Sequence, residues 1–281
     1  MRHVSIAFIG DLTVDTYPKL NRQHLGGASL NAALWAIRSG AKKVSILAGV
    51  GHDEPGRQFI RAMDKARISH EAVVQLPGAT SVIEIFVDSI GEHTWGEWKP
   101  GVMEEYHLGD CEFDILKTHE AAALTVYGKT RHLFSELSAW GREETNRPFL
   151  AVNFDDLSQL GHTTDVVSAH IGGIDAGFFG LDKEKDNDLI THIAGVARDT
   201  GKLMVVTTGK HGAVAFQGNS TYNAPVSPVQ RVVDTTGAGD AFLAGFLVSY
   251  IGNRQITTSL AAGNALAAQS VQLFGAFEMD I

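Results

Sequence analysis

The chain opens on an unbroken apolar run, VSIAFIG over residues 4–10, that stops at a glycine and an aspartate. A run of that length with β-branched residues predicts a strand covered on both faces. KVSILAGVG (43–51), AAALTVYG (121–128), FLAVNF (149–154), IDAGFFG (174–180) and KLMVVTTG (202–209) repeat the pattern. Helical spacing fills intervals between them. GGASLNAALWAIRSGA (26–41) starts on a glycine pair and ends at Gly40, EPGRQFIRAMDKAR (54–67) is a second helix, and 186–201 is an amphipathic helix capped by Gly201. Buried strands alternating with helices predict an α/β fold with a parallel sheet and helices on its faces.

Two segments break the alternation. TSVIEIFVDSIGEHTWGEW (80–98) switches between apolar and polar residues, with Gly91 at a turn, and predicts a half-exposed antiparallel hairpin. An exposed β element inside an α/β chain suggests a flap that covers something. GAVAFQGNSTYNAP (212–225) predicts another hairpin, turning at Gly218-Asn219. No internal repeat, linker or low-complexity segment interrupts the pattern.

Length and composition fit one large globular domain or a domain with a small appendage: 281 residues, 44% hydrophobic and 20% charged. The net charge of -9, with no dense basic run, argues against a nucleic-acid partner. Cys111 is the single cysteine, so no disulfide framework can form within the chain, which fits a reducing cytoplasm. The N-terminal apolar run is one strand long, too short for a signal peptide or a membrane span, and no later run is long enough to cross a bilayer. The expectation is a cytoplasmic protein without a membrane partner. The 12 histidines are scattered, and none has paired zinc-site spacing.

Residues 231–245, RVVDTTGAGDAFLAG, hold more glycines and carboxylates than a turn and a cap require. The helix after Gly239 is apolar nearly all round and should be buried. Its N-terminus offers unpaired N–H groups and partial positive charge. Gly237 and Gly239 lack side chains that would hold an anion away, so a phosphate can approach. Asp240, in the first turn, could take the proton from an attacking hydroxyl. The residues alone leave equal room for a tight glycine turn with Asp240 as a helix-start residue. A Walker A pattern is absent before Gly209-Lys210-His211, and the first strand ends in GDLTVD rather than a dinucleotide-binding G-x-G-x-x-G.

VVDTTGAGDAFLAGFL closely resembles the C-terminal signature of the ribokinase/PfkB family of carbohydrate kinases. IGDLTVD and GGASLN resemble the sugar-binding start of the same family, and the likeness extends along essentially the whole chain. Within the family, IGDLTVDTYPKL, the GGA-x-x-N stretch and GEWKPGVMEEY look like the fructoselysine 6-kinase branch. The resemblance implies a three-layer αβα ribokinase-like sandwich with a mostly parallel sheet and a small β lid. Residues 1–281 would form one domain, with the lid from about 12–22 and 80–98. It implies Asp240 as catalytic base, with Gly237, Ala238 and Gly239 supplying anion-hole amides. It places Asp11, with Asp15 as a second candidate, Gly26, Gly27 and Asn31 on the sugar. Thr207, Gly209 and Gly212 fall on the nucleotide turn, and Asn264 matches an Asn near the base. As residues alone, Asp11 and Asp15 fit Asx turns, the glycine pair a helix-start turn, 209–212 a hairpin turn, and Asn264 a polar helix face.

The resemblance further implies ATP and magnesium, and leaves open potassium held by backbone carbonyls near the Asp234 loop. One motif departs. The N-x-x-E segment that organises magnesium in many members corresponds to FFGLDKEKDND, where the Asn is missing and Asp186 is the candidate for the acidic role. By itself this charge run reads as a solvated helix start; Asn187 and Ile193 stand where a calcium loop needs Gly and Glu. The expected activity is ATP-dependent phosphorylation of a hydroxyl on a small sugar or sugar-amine, with fructoselysine or another fructosamine at its 6-position as the narrower reading. A nucleoside or plain hexose kinase on the same fold, or a non-catalytic sugar-binding relative, are the alternatives. Glu84, Glu92 and Glu97, in or near the lid, are candidates to meet an ammonium. The chain would be a monomer, or a homodimer paired through exposed lid edges.

Overall fold

Nine strands hydrogen-bond into one sheet and four into another, in a computed structural model that describes residues 3–88 and 93–277. In chain order the elements are β1 (Ser5–Ile9), β2 (Thr13–Tyr17), β3 (Arg22–Gly26), α1 (Ala28–Arg38), β4 (Lys43–Gly51), α2 (Glu54–Ala66), β5 (Ser69–Leu76), β6 (Ser81–Val87) and β7 (His93–Lys99). Next come α3 (Asp110–Lys117), β8 (Ala121–Thr125), α4 (Arg131–Glu143), β9 (Phe149–Asn153), α5 (Asp165–His170), β10 (Ala176–Gly180) and α6 (Asn187–Thr200). β11 (Leu203–Thr207), β12 (Ala213–Gln217), β13 (Ser220–Ala224), α7 (Ala238–Asn253) and α8 (Ile256–Ser270) complete the chain.

The large sheet runs β13-β12-β11-β10-β9-β8-β1-β4-β5. Its strands from β5 to β11 pair in parallel, and β12 and β13 close one edge antiparallel. The central strands are buried because helices flank the sheet, which is why they read as continuous apolar runs. From β1 the chain goes to β4 on one side and later to β8 on the other. The carboxyl ends of parallel strands at such a division form a natural crevice. The segments leaving β1, β8, β9 and β11 all open there.

The small sheet runs β3-β2-β6-β7. β2 pairs antiparallel with β3 and parallel with β6; β6 and β7 form an antiparallel hairpin, irregular between Ile83 and Ile85. The sheet thus takes in residues up to Gly26, past the expected boundary at 22. The expected turn at Gly91, and Glu92, lie outside the described residues. α7 buries nine residues, as its all-round apolarity predicts, and packs on α1 and α8. Among the described residues no helix is long and apolar enough to cross a membrane.

Candidate active site

The first turn of α7 is fixed from outside the helix. Asp234 is fully buried; its Oδ1 accepts from the Thr236 amide (2.9 Å) and its Oδ2 from the Gly275 amide (3.0 Å). The Trp35 indole of α1 donates to the Ala276 carbonyl at 3.0 Å. Gly237 packs against this segment with φ +74°, and a Cβ there would overlap the Ala276 side chain. Glycine is therefore required both for backbone and for space. Ala238 donates its amide to the Thr235 carbonyl at 3.2 Å. The amides of Gly237, Gly239 and Asp240 have no acceptor among the described residues, and no atom lies within 4 Å of where a Gly239 Cβ would be. The expected anion mouth is thus open, but Ala238 contributes its amide to the turn itself.

Asp240 stands beside this mouth, and its Oδ2 accepts from the Asn31 amide of α1 at 3.0 Å. Burial pushes its carboxyl up to about 8, the Asn31 hydrogen bond opposes that shift, and the nearby Asp11 and Asp155 charges add to it.

Asp240 lines a cavity of about 180 Å³ between the crevice and the small sheet. Asp11, Asp15, Gly27 and Asn31 line it too. The Asp11 Oδ1 accepts from the Ala28 amide at 3.2 Å, capping the first turn of α1, and Oδ2 lies 2.8 Å from the Thr13 hydroxyl. Asp15 is 5% exposed, and its carboxylate has no hydrogen-bond donor among the described residues. Gly26 lies directly behind it, where a Cβ would overlap the carboxylate. Burial raises the pKa of both aspartates, and the charges of Asp11, Asp240 and Asp234 raise that of Asp15 further.

Aromatic rings form the other walls. The Trp98 indole donates to Ser81 Oγ (3.0 Å), which lies 2.8 Å from the Thr13 hydroxyl, so the small sheet and the Asp11 loop are tied together. The Trp98 and Tyr127 rings are 5.3 Å apart. Tyr127, after β8, has its phenol raised well above the ordinary value by burial and then by Asp11, Asp240, Asp155 and Asp15. Asn153, Asp155 and Gln159, on and after β9, complete the lining. Among the described residues no Lys or Arg lines this cavity.

A second groove, of about 750 Å³, meets the first at His93, Thr235 and Gly239. His93 Nδ1 lies 2.9 Å from the Thr235 hydroxyl. Thr207, Gly209, Gly212 and Asn264 line this groove, as do the exposed Val226, Val229 and Val232. The Asn264 amide nitrogen donates to the carbonyls of Ala224 (3.3 Å) and Pro225 (2.8 Å), so it holds the groove wall beside Val226. Lys183 and Lys210 add positive charge. Asp186 lines neither cavity: its Oδ2 accepts from the Asp182 amide (2.8 Å) and its Oδ1 lies 3.2 Å from His162. Asp182 and Glu184 face the groove instead. Among the described residues no group of three or more His, Cys, Asp or Glu side chains gathers as a metal site.

Sequence reasoning missed Tyr127, Asp155, Trp95, Trp98 and His93. The available signal was position: Tyr127 and Asp155 each follow the end of a buried strand, where a doubly flanked parallel sheet presents its ligand-facing loops.

Residues 156–280 match the pfkB family carbohydrate kinase model. The chain is 28% identical over 275 residues to a fructoselysine 6-kinase of Escherichia coli, covering 97% of this chain and 99% of that protein. It is 24% identical to a fructosamine kinase of Bacillus subtilis, with 96% and 91% covered. The fold matches the crystal structure of an adenosine kinase from Sinorhizobium meliloti with a TM-score of 0.84 at 19% identity, over 99% of this chain and 97% of that one. The nine-stranded, helix-flanked sheet is therefore the ribokinase-like architecture. A pfkB family carbohydrate kinase match over residues 156–280 and kinase relatives along nearly the whole length make the protein a phosphotransferase with an alcohol group as acceptor.

Proposed function

We propose that the protein transfers the γ-phosphoryl group of ATP to a sugar or sugar-amine, and that the acceptor is a fructosamine such as fructoselysine, phosphorylated at its 6-hydroxyl. One observation carries the reading: a carboxylate, Asp240, stands beside unpaired amides where two cavities meet. The larger groove suits a nucleotide, with the three valines against the base and Lys183 and Lys210 toward the phosphates. The smaller cavity suits a polyol, with Asp11, Asp15 and Asn31 as acceptors and donor. The small sheet then serves as the lid that excludes water.

In the transfer, Asp240 accepts the proton of the attacking hydroxyl. The new bond forms between that oxygen and the γ-phosphorus as the bridge to the β-phosphate breaks, and ADP leaves. The amides of Gly237, Gly239 and Asp240 receive the charge that develops on the phosphoryl oxygens. Kinases of this family work with ATP and a divalent metal. Of the groove acids, Asp182 is engaged by the Glu184 and Lys185 amides and by the Lys185 ammonium, so Glu184 is the one that would hold a hydrated magnesium ion, which would neutralise phosphate charge.

A raised pKa makes Asp240 a stronger proton acceptor but leaves it protonated at lower pH. Only the carboxylate can act as base. We expect kcat/KM for the sugar to rise about tenfold per pH unit up to about 8 and to level off above it. A pH–rate series with saturating nucleotide checks this. The substrate reading is tested by ADP release over fructose, ribose, nucleosides and fructosamines. Preference for a plain hexose or a nucleoside would defeat the fructosamine assignment. Sugar binding in calorimetry without any ADP release would favour a non-catalytic binder.

A further inference from the structure

We propose that Asp155 selects an aminated sugar: its carboxylate, at the rim of the acceptor cavity, receives the substrate's ammonium while the attached side arm leaves toward solvent. The inference deepens the fructosamine reading and rests on it.

Four carboxylates line the cavity, with no Lys or Arg among the described lining residues. His93 is the one lining group among them able to carry positive charge, and its Nδ1 faces Thr235. An anionic sugar would meet repulsion here, and a cationic one would be drawn in. The four carboxylates are not equivalent. Both oxygens of Asp11 face donors, on Ala28 and Thr13. Asp240 faces Asn31 and stands at the anion mouth. Asp15 is 5% exposed and has no donor among the described residues, which suits an uncharged hydroxyl. Asp155 is the solvent-exposed member of the set, although the surrounding protein and the Asp156 charge push its carboxyl up to about 6, so it is charged at neutral pH.

Its loop holds it at the rim. Asp155 sits in the left-handed region at φ +51°, its amide donates to Asn153 Oδ1 (3.2 Å), and its carbonyl accepts from the Gly180 amide (2.9 Å). Strained non-glycine backbone of this kind persists where the surroundings over-determine it. The Trp98 and Tyr127 ring faces in the same cavity suit an alkylammonium. Of the glutamates expected to meet the ammonium, the two described ones do not line the cavity: Glu84 is absent from its wall, and Glu97 pairs with Lys99 at 3.1 Å.

The placement has a consequence for the base. Asp155 is one of the charges that raise Asp240, together with Asp11; Tyr127, Asp15 and His93 line the same space, and Asn31 opposes the shift. An ammonium seated on Asp155 cancels its charge and so lowers the pKa of Asp240. A correct substrate would thus make its own base available at lower pH.

The test compares fructoselysine with a 1-O-alkyl fructose ether, which keeps the arm and lacks the charge, on the full-length wild type and on Asp155→Asn. Asparagine tolerates the left-handed backbone, so the variant should fold; circular dichroism and calorimetric ADP affinity verify this. The wild type should prefer fructoselysine by roughly 10- to 100-fold in kcat/KM, the scale of a hydrogen bond to a charged group. Its kcat should also reach half-maximum at lower pH with the amine than with the ether. Asp155→Asn should erase both differences. A wild type that prefers fructoselysine, with the preference intact in Asp155→Asn, would overturn the assignment of Asp155 while the substrate reading stands. Equal loss on both substrates would overturn it in the same way. A wild type that prefers plain hexoses or nucleosides would defeat the substrate reading itself. If Asp155→Asn fails to fold, Asp155→Ser and the wild-type difference in pH profile carry the same decision.

Discussion

Asp240→Asn is expected to lower turnover by roughly 10²- to 10⁴-fold, the usual contribution of a positioned general base, while ADP affinity stays within about twofold. Asparagine keeps the side-chain shape and can still accept from Asn31 through its oxygen, so the first turn of α7 should not shift. The nucleotide groove is walled by the 207–212 turn, the valines and α8, with Ala238, Gly239 and Phe242 of α7, and the Asp240 carboxylate does not line it. Loss through unfolding predicts a different result. Asp240 has a native pKa raised above its unfolded value, so the native state binds its proton more tightly and the group's contribution to stability falls as pH rises toward about 8. Removing that charge should leave Tm unchanged or raise it at pH 8. Steady-state kinetics, calorimetry with ADP and a thermal melt separate the two explanations. Near-wild-type turnover would reject Asp240 as base.

The second large effect is expected from Gly26→Ala, a change of one methyl group. Gly26 ends β3 outside the left-handed region, so alanine can adopt its backbone. The added Cβ would overlap the Asp15 carboxylate, and Asp15 is the neighbour free to move, because nothing among the described residues bonds it. The carboxylate should rotate out of the cavity and leave a sugar hydroxyl unpaired. We expect kcat/KM for the sugar to fall roughly 10- to 100-fold, mostly through KM, with nucleotide affinity near wild type. Since both changes act through one carboxylate, Gly26→Ala combined with Asp15→Asn should be hardly worse than Asp15→Asn alone. Additive losses would show that Gly26 acts by another route.

The parallel core was readable from sequence because strands covered on both faces have to be apolar throughout. β5 was not: as an edge strand its SHEAVVQL mixes exposed and buried positions, which blurs both periods. β3 was blurred for the same reason, with RQHLG largely exposed, and this shortened the expected lid. The GAGD turn was legible because its glycines and its carboxylate are adjacent in the chain. Its support was not, since the Asp234 carboxylate reaches the Gly275 amide and Trp35 reaches the Ala276 carbonyl across long sequence separations. Asp155 was hidden likewise: nothing around NFDD marks it, and only the convergence of the loops after β1, β8 and β9 brings it toward Asp240. Asp186 shows the opposite failure. An acidic residue in the expected motif region turned out to be bonded within its own loop and to His162.

The most direct test is a crystal structure with a non-hydrolysable ATP analogue, magnesium and fructoselysine bound together. The account predicts the sugar's 6-hydroxyl within hydrogen-bonding distance of Asp240 and in line with the γ-phosphate, whose oxygens meet the amides of Gly237 and Gly239. A sugar bound with no hydroxyl near Asp240, or a γ-phosphate seated away from the start of α7, would contradict it.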